Sequence, residues 1–425
     1  MQLVATLVAR DRHIGAAIAG IAVALAATGI SMLLLLLVVG GVGWQLTAFL
    51  MRRPRALMRP GVRVTRTLNV LSGAWVLVAV GFAVRGMLPV GYDVTPVVTA
   101  VTVDPDVTIG RPNVYVILLD AYARSDTLAQ FGFDNEAFLG SLENRGFDVY
   151  RDSTSDYTMT ILTVPSMLQM EYIHDFSVLI PPEPPEQDRV VWEHTNDSAA
   201  ISNFRKLGYE VYSTAAHSAP AELRNVDQYL DHGYVNEFEG YLLQGASEVD
   251  VLLSIVDRNW LPEQHRSHVL SNFADLDQLA AQPQGRPRFV WAHIMSPHAP
   301  LVFHADGSLF PPPSCFPLAC NLGAGDVPTL GLKEFVRRYT EEVAYLNTRV
   351  SRLVDGILAH DPGSVIVLLS DHGSRYDPAD PDEEFHNFFA AYTPGHPRLY
   401  ETVATPVNTF RLIFGAYFGA NAPPI

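Results

Sequence analysis

The chain divides by the spacing of its apolar positions. Residues 14–50 contain no Asp, Glu, Lys or Arg, and neither do residues 67–84. At ~1.5 Å per residue the first stretch would be about 55 Å long as one helix, nearly twice a ~30 Å hydrocarbon core. It therefore predicts two helices, about 14–29 and 32–50, joined near Thr28-Gly29-Ile30-Ser31. A third covers about 67–88, with Arg85 able to snorkel at its end. Residues 93–110 are rich in Val, Thr and Pro without helical periodicity, which predicts an extended linker. From residue 111 onward strand-like and helix-like runs alternate. Strands are predicted over 113–119, 147–150, 209–213, 287–293 and 364–370. The clearest helix spans about 332–360, where Phe335, Tyr339, Val343, Leu346, Val350, Leu353 and Ile357 step by three or four along one face. That stripe is core packing and carries no chemistry. Residues 181–189 and 305–330 read as Pro- or Gly-rich loops. The alternation predicts an α/β domain over 111–425, with a mostly parallel central sheet flanked by helices, behind a membrane anchor over 1–92.

Charge orients the anchor. Arg10 and Arg12 precede the first helix, and Arg52, Arg53, Arg55, Arg59, Arg63 and Arg66 fill the loop between the second and third. The positive-inside rule places both segments in the cytoplasm, which requires an odd number of spans before residue 93. Three helices satisfy this, and one overlong helix in place of the first two does not. Cleavage of a signal peptide near Ala24-Leu25-Ala26 would leave the same orientation. Everything after Tyr92 is then outside the cytoplasm, on the periplasmic or extracellular side of an inner (plasma) membrane. Of the formal charge of −16, residues 1–88 contribute nine Arg and one Asp, so the remainder carries −24. Such an acidic domain is a poor partner for nucleic acid or anionic lipid surfaces. Cys315 and Cys320 both fall on the oxidising side and predict a loop disulfide. A two-cysteine metal site would lack further ligands.

Two predicted strands end in candidate ligands. The run Ser364-Val365-Ile366-Val367-Leu368-Leu369 stops at Ser370-Asp371-His372-Gly373, and Asn113-Val114-Tyr115-Val116-Ile117-Leu118-Leu119 stops at Asp120. In open α/β sheets ligands sit beyond the carboxyl ends of the strands. Carboxylate and imidazole donors there suit a divalent metal, zinc or manganese. Either acid alone also fits a helix cap; the pair favours a shared ion. After residue 150 comes a hydroxyl-rich turn that runs through Thr158-Met159-Thr160-Ile161-Leu162-Thr163-Val164-Pro165-Ser166 into a predicted helix. Pro165 suits only the first turn of such a helix. A Thr at a helix N-terminus beside a metal is a candidate nucleophile, although most such clusters are caps and turns. His298, in Ser296-Pro297-His298-Ala299-Pro300 after the strand at 287–293, is a candidate acid or oxygen binder, with His293 and His304 competing for the role.

In this order, Asp120, the Thr-rich turn, the Ser296–His298–Pro300 segment and Asp371-His372-Gly373 resemble the alkaline-phosphatase/sulfatase superfamily. The resemblance is to its membrane-anchored branch, the lipoteichoic acid synthases and phosphoethanolamine transferases, and covers about residues 111–415. It implies an alkaline-phosphatase-like domain in which Asp120, Thr160, Asp371 and His372 bind one metal. It also implies Thr160 as nucleophile, His298 as a catalytic histidine and His386 as a second. Type I sulfatases carry Cys-x-Pro-x-Arg or Ser-x-Pro-x-Arg, and the matching stretch here is Thr163-Val164-Pro165-Ser166-Met167. Thr cannot become formylglycine, and no arginine follows in that motif for the sulfate.

Together these features lead to the expectation of a membrane-anchored, metal-dependent transferase or hydrolase of phosphate esters. Its Thr nucleophile would move a phospho-headgroup from a membrane lipid to an envelope acceptor. A phosphodiesterase, phosphatase or unconventional sulfatase on surface glycans is a first rival, and a metal-binding pseudoenzyme for envelope assembly is a second. Against the pseudoenzyme stands the presence of every expected ligand and catalytic residue type.

Overall fold

The strands β1 (Val114–Leu119), β5 (Arg288–Ile294) and β6 (Val365–Leu369) are buried at every position, as the central strands of a sheet covered on both faces must be. The computed structural model describes residues 103, 110–173, 184–218, 221–235, 259–283, 285–311, 331–375 and 380–425. These lie within the unit formed by Val94–Gly240 and Asn259–Ile425. The three predicted membrane helices, most of the linker, and Cys315 with Cys320 lie outside the described residues. Among the described residues no helix is long and apolar enough to cross a membrane.

Four shorter strands complete the sheet: β2 (Asp148–Val149), β3 (Glu210–Thr214), β4 (Gln228–Leu230) and β7 (Phe389–Tyr392). The order is β2-β7-β6-β1-β5-β3-β4. From β6 to β4 every pairing is parallel, while β7 runs antiparallel to both β6 and β2. The expected mostly parallel sheet is thus a mixed one, and neither β4 nor β7 was legible as a strand. β4 has three residues and no buried one, and β7 is Phe-Ala-Ala-Tyr without a β-branched side chain.

Alternation along the central strands sorts side chains into two cores. Val114, Val116, Leu118, Phe289, Trp291, Val365, Val367 and Leu369 face one layer of helices. That layer contains α3 (Thr160–Gln169), α4 (Pro184–Asn196), α5 (Ala199–Lys206) and α8 (Asn408–Phe418). Tyr115, Ile117, Leu119, Val290, Ala292, Ile294, Ile366 and Leu368 face the other. There α2 (Glu136–Glu143), α6 (Trp260–Ala281) and α7 (Leu332–His360) cover the sheet; a short α1 (Ser125–Gln130) follows β1. The apolar stripe of α7 is buried from Phe335 to Ile357, as its spacing predicts. Each fully buried Val, Leu, Ile or Phe contributes about 1.5–3 kcal/mol relative to exposure, so these two layers dominate the stability of the domain.

Parallel pairing aligns the carboxyl ends that matter. Leu119 of β1 stands beside Ile294 of β5, and Leu118 beside Leu369 of β6. Whatever follows these three strands must share one edge of the sheet.

Candidate metal and nucleophile site

Asp120, Asp371 and His372 meet at that edge. One ligand atom from each lies within 4.8 Å of the others, and all three residues are buried. The chain turns sharply after Asp120 because Ala121 adopts φ 61°, a left-handed conformation uncommon outside glycine. Tyr339 of α7 fixes this turn by donating to Ala121 O (2.7 Å) and accepting from Ala123 N–H (2.9 Å). The freed Ala121 N–H donates to Asp371 Oδ1 (3.2 Å). After β6, Ser370 Oγ accepts from Tyr122 N–H (2.9 Å) and donates to His372 O (2.7 Å). The two ligand-bearing turns therefore hold each other in place.

The proton positions fit a cation. His372 Nδ1 donates to Gly373 O (2.7 Å), which leaves a lone pair on Nε2. That nitrogen is 3.6 Å from Asp120 Oδ1 and 3.3 Å from Asp371 Oδ2. Burial pulls His372 below the ordinary imidazole range despite the nearby Asp371 carboxylate. Asp120 Oδ1 and His372 Nε2 are both buried without a hydrogen-bond partner. Two carboxylate oxygens and a bare imidazole nitrogen, all electron-rich and desolvated, repel one another unless something positive sits between them. The residues fit a divalent metal.

His293 supports this group from β5. Its Nε2 donates to Asp120 Oδ2 at 2.9 Å. Burial disfavours charge on His293, but the hydrogen bond and charge of Asp120 outweigh it and raise the imidazole. Burial likewise pushes Asp120 up, yet His298, His293 and His372 together pull the carboxyl well below its usual range. A partner that orients a ligand typically contributes about 10–100-fold in metal affinity. His293→Leu, which keeps most of the volume and removes the donor, should raise the zinc Kd by about that factor. Chelator competition measures it, and a Kd within twofold of the parent would contradict the role.

Thr160 is the first residue of α3, and its Oγ1 donates to Asp371 Oδ2 at 2.6 Å and lies 3.5 Å from Asp120 Oδ2. Pro165 is the sixth residue of this helix, not in its first turn as its chemistry suggests. The missing N–H costs one helical bond, and α3 offsets it by burying Val164, Met167 and Leu168 in the core. Starting the helix at Thr160 turns its N-terminus to the carboxylates. Thr163 is fully buried and donates to Asp371 O (3.1 Å), so it braces the site from behind.

The other expected residues separate. His298 is half-buried, its Nδ1 donating to Ala299 O (2.6 Å). His304 is elsewhere, paired with Glu341 (2.7 Å). His386 closes the 3₁₀ turn Pro381–Phe385, where its carbonyl accepts from Arg124 N–H (2.9 Å) and its charge acts on Asp126. Among the described residues no hydrogen bond or ion pair joins His386 to Asp120, Asp371 or His372. Two features escaped the sequence. Arg375 extends Asp371-His372-Gly373-Ser374 and brings a guanidinium to His298 (3.5 Å), although the nucleophile motif itself lacks an arginine. His217, three residues past β3, stacks on His268 at 3.9 Å. Close by, burial and the charges of His298 and His217 push His265 down to about 3.

A search of curated protein sequences gives no match. Solved structures that align include phosphoethanolamine transferase A (EptA) of Neisseria meningitidis, at 13% identity and TM-score 0.48 over 91% of this chain and 69% of that one. The periplasmic domain of EptC from Escherichia coli aligns at 13% identity and TM-score 0.47, over 77% and 86%. The phosphonate monoester hydrolase of Agrobacterium radiobacter aligns at 13% and 0.48, over 73% and 74%. The Sulfatase family model matches residues 112–407, well over half of the chain, and the protein therefore belongs to the sulfatase family of the alkaline-phosphatase superfamily.

Proposed function

We propose that this protein transfers or hydrolyses phosphate esters through Thr160, with zinc or manganese held by Asp120, Asp371, His372 and Thr160. The observation that carries the reading is the 2.6 Å hydrogen bond from Thr160 Oγ1 to Asp371 Oδ2, at a helix N-terminus facing two orphaned ligand atoms. A bound divalent cation would supply charge that offsets the carboxylates and acidifies an adjacent hydroxyl. Thr160 Oγ1 gives its proton to Asp371 Oδ2 and attacks phosphorus. The threonine O–P bond forms as the bond to the leaving oxygen breaks, and His298 Nε2, left as an acceptor by the Nδ1 bond to Ala299 O, takes a proton from solvent and passes it to the departing alkoxide. An envelope acceptor or water then takes the phosphoryl group from Thr160.

The arginine distribution supports a three-helix anchor over residues 1–92, with residues 52–66 cytoplasmic and the catalytic domain outside. That anchor favours a lipid-derived donor. Incubation of the full-length protein with a membrane lipid extract, followed by peptide mass spectrometry, should show a phosphate-containing adduct on Thr160. An adduct mapped to Thr163 or Ser166 instead would overturn the assignment.

A further inference from the structure

The turn after His372 is built to present an arginine. A Cβ on Gly373 would meet Glu383 O at 2.0 Å, so only glycine lets the two segments pack this closely. Gly373 N–H donates to Glu384 O (2.8 Å), and Ser374 Oγ donates to the buried Glu383 carboxylate (2.6 Å). Arg375 then adopts φ 59°, a conformation costing a non-glycine residue about 1 kcal/mol or more. Its guanidinium lies between the segment that leads into Thr160 and the loop that carries His298. One NH2 group donates to Thr158 O (3.2 Å), two residues before the nucleophile, and the other lies 3.5 Å from His298 Nε2. Among the described residues its contacts run to that carbonyl and that ring, not to a carboxylate. A guanidinium has five N–H donors in a fork that matches two oxygens of a tetrahedral anion, and among the described residues only two of its groups have contacts.

We propose that Arg375 binds the non-bridging oxygens of the transferred phosphoryl group, making it a substrate-recognition residue beside Thr160. The group it takes is a tetrahedral oxyanion, which would be held between the guanidinium and the cation that Asp120, Asp371 and His372 would bind. This inference rests on the reading of Thr160 as nucleophile, yet it is tested by binding. With zinc-loaded, full-length protein and inorganic phosphate as the probe, calorimetry should give a Kd at least tenfold weaker for Arg375→Met. Arg375→Lys, which keeps the charge and loses the fork, should fall between Met and the parent. Zinc stoichiometry should be unchanged in both. Phosphate affinity within twofold of the parent in both variants, or no phosphate binding by the parent, would overturn the proposal. Thr160→Ala should still bind phosphate, so full turnover in that variant would remove the nucleophile assignment and leave the Arg375 result standing.

Discussion

Thr160→Ala should lower kcat/KM by at least ~10³-fold in zinc-loaded protein without releasing the zinc, because on the proposed mechanism it deletes the nucleophile and leaves only binding and electrostatics. The geometry makes the loss specific. Thr160 Oγ1 donates to Asp371 Oδ2 at 2.6 Å, whereas the Ser370 hydroxyl reaches Asp371 Oδ1 only at 3.5 Å. The buried Asp120, Asp371 and His372 group, which could hold the metal, remains after the substitution. Thr160→Ser keeps the hydroxyl and should retain part of the activity. Thr163→Ala tests the alternative: its hydroxyl is buried and donates to Asp371 O (3.1 Å), so its loss should reduce stability by about 1 kcal/mol and leave the chemistry in place. Steady-state kinetics with zinc analysis separates these outcomes. Undiminished turnover in Thr160→Ala would sink the mechanism.

The part of the site that was legible came from strand ends. β1 and β6 are apolar runs that stop at acids, and parallel pairing then obliges Asp120 and Asp371 to share an edge. Alternation carries further than it first suggests. Leu118 and Leu369 face one core, and two residues on, Asp120 and Asp371 continue that face. In β5, His293 follows Phe289 and Trp291 on the same face, which is why it reaches Asp120. The register pairing Leu118 with His293 decides this, and no local pattern encodes register between strands more than 170 residues apart. Arg375 was missed for a similar reason. Its placement depends on Glu383 and His386 packing against Gly373, a tertiary contact invisible in Asp-His-Gly-Ser-Arg. The start of α3 was missed because Pro165 is a strong local signal that core burial overrides.

Glu342→Gln should stabilise the protein above pH 7 and change little near pH 5. Glu342 is fully buried on α7 and clamps both ends of the loop that carries His298. One oxygen accepts from Ser296 Oγ (2.5 Å), and the other from Val302 N–H (2.8 Å) and Phe303 N–H (3.1 Å). Burial pushes its carboxyl up to about 7, and these donors offset only part of that. The folded protein then keeps a proton that the unfolded chain releases from about pH 4.5 upward. Stability from this group is fully present below about 4.5 and is lost as pH rises through about 7, amounting to roughly 3 kcal/mol. Gln has no charge to desolvate. Its oxygen can take the two backbone donors and its amide can donate to Ser296, so the loop should stay in place. The Tm difference between variant and parent should therefore grow with pH, reaching roughly 5 °C at pH 8 for a domain of this size. A difference that is flat from pH 5 to 8 would show that Glu342 is ionised throughout, and the clamp on the His298 loop would then be a permanent charge.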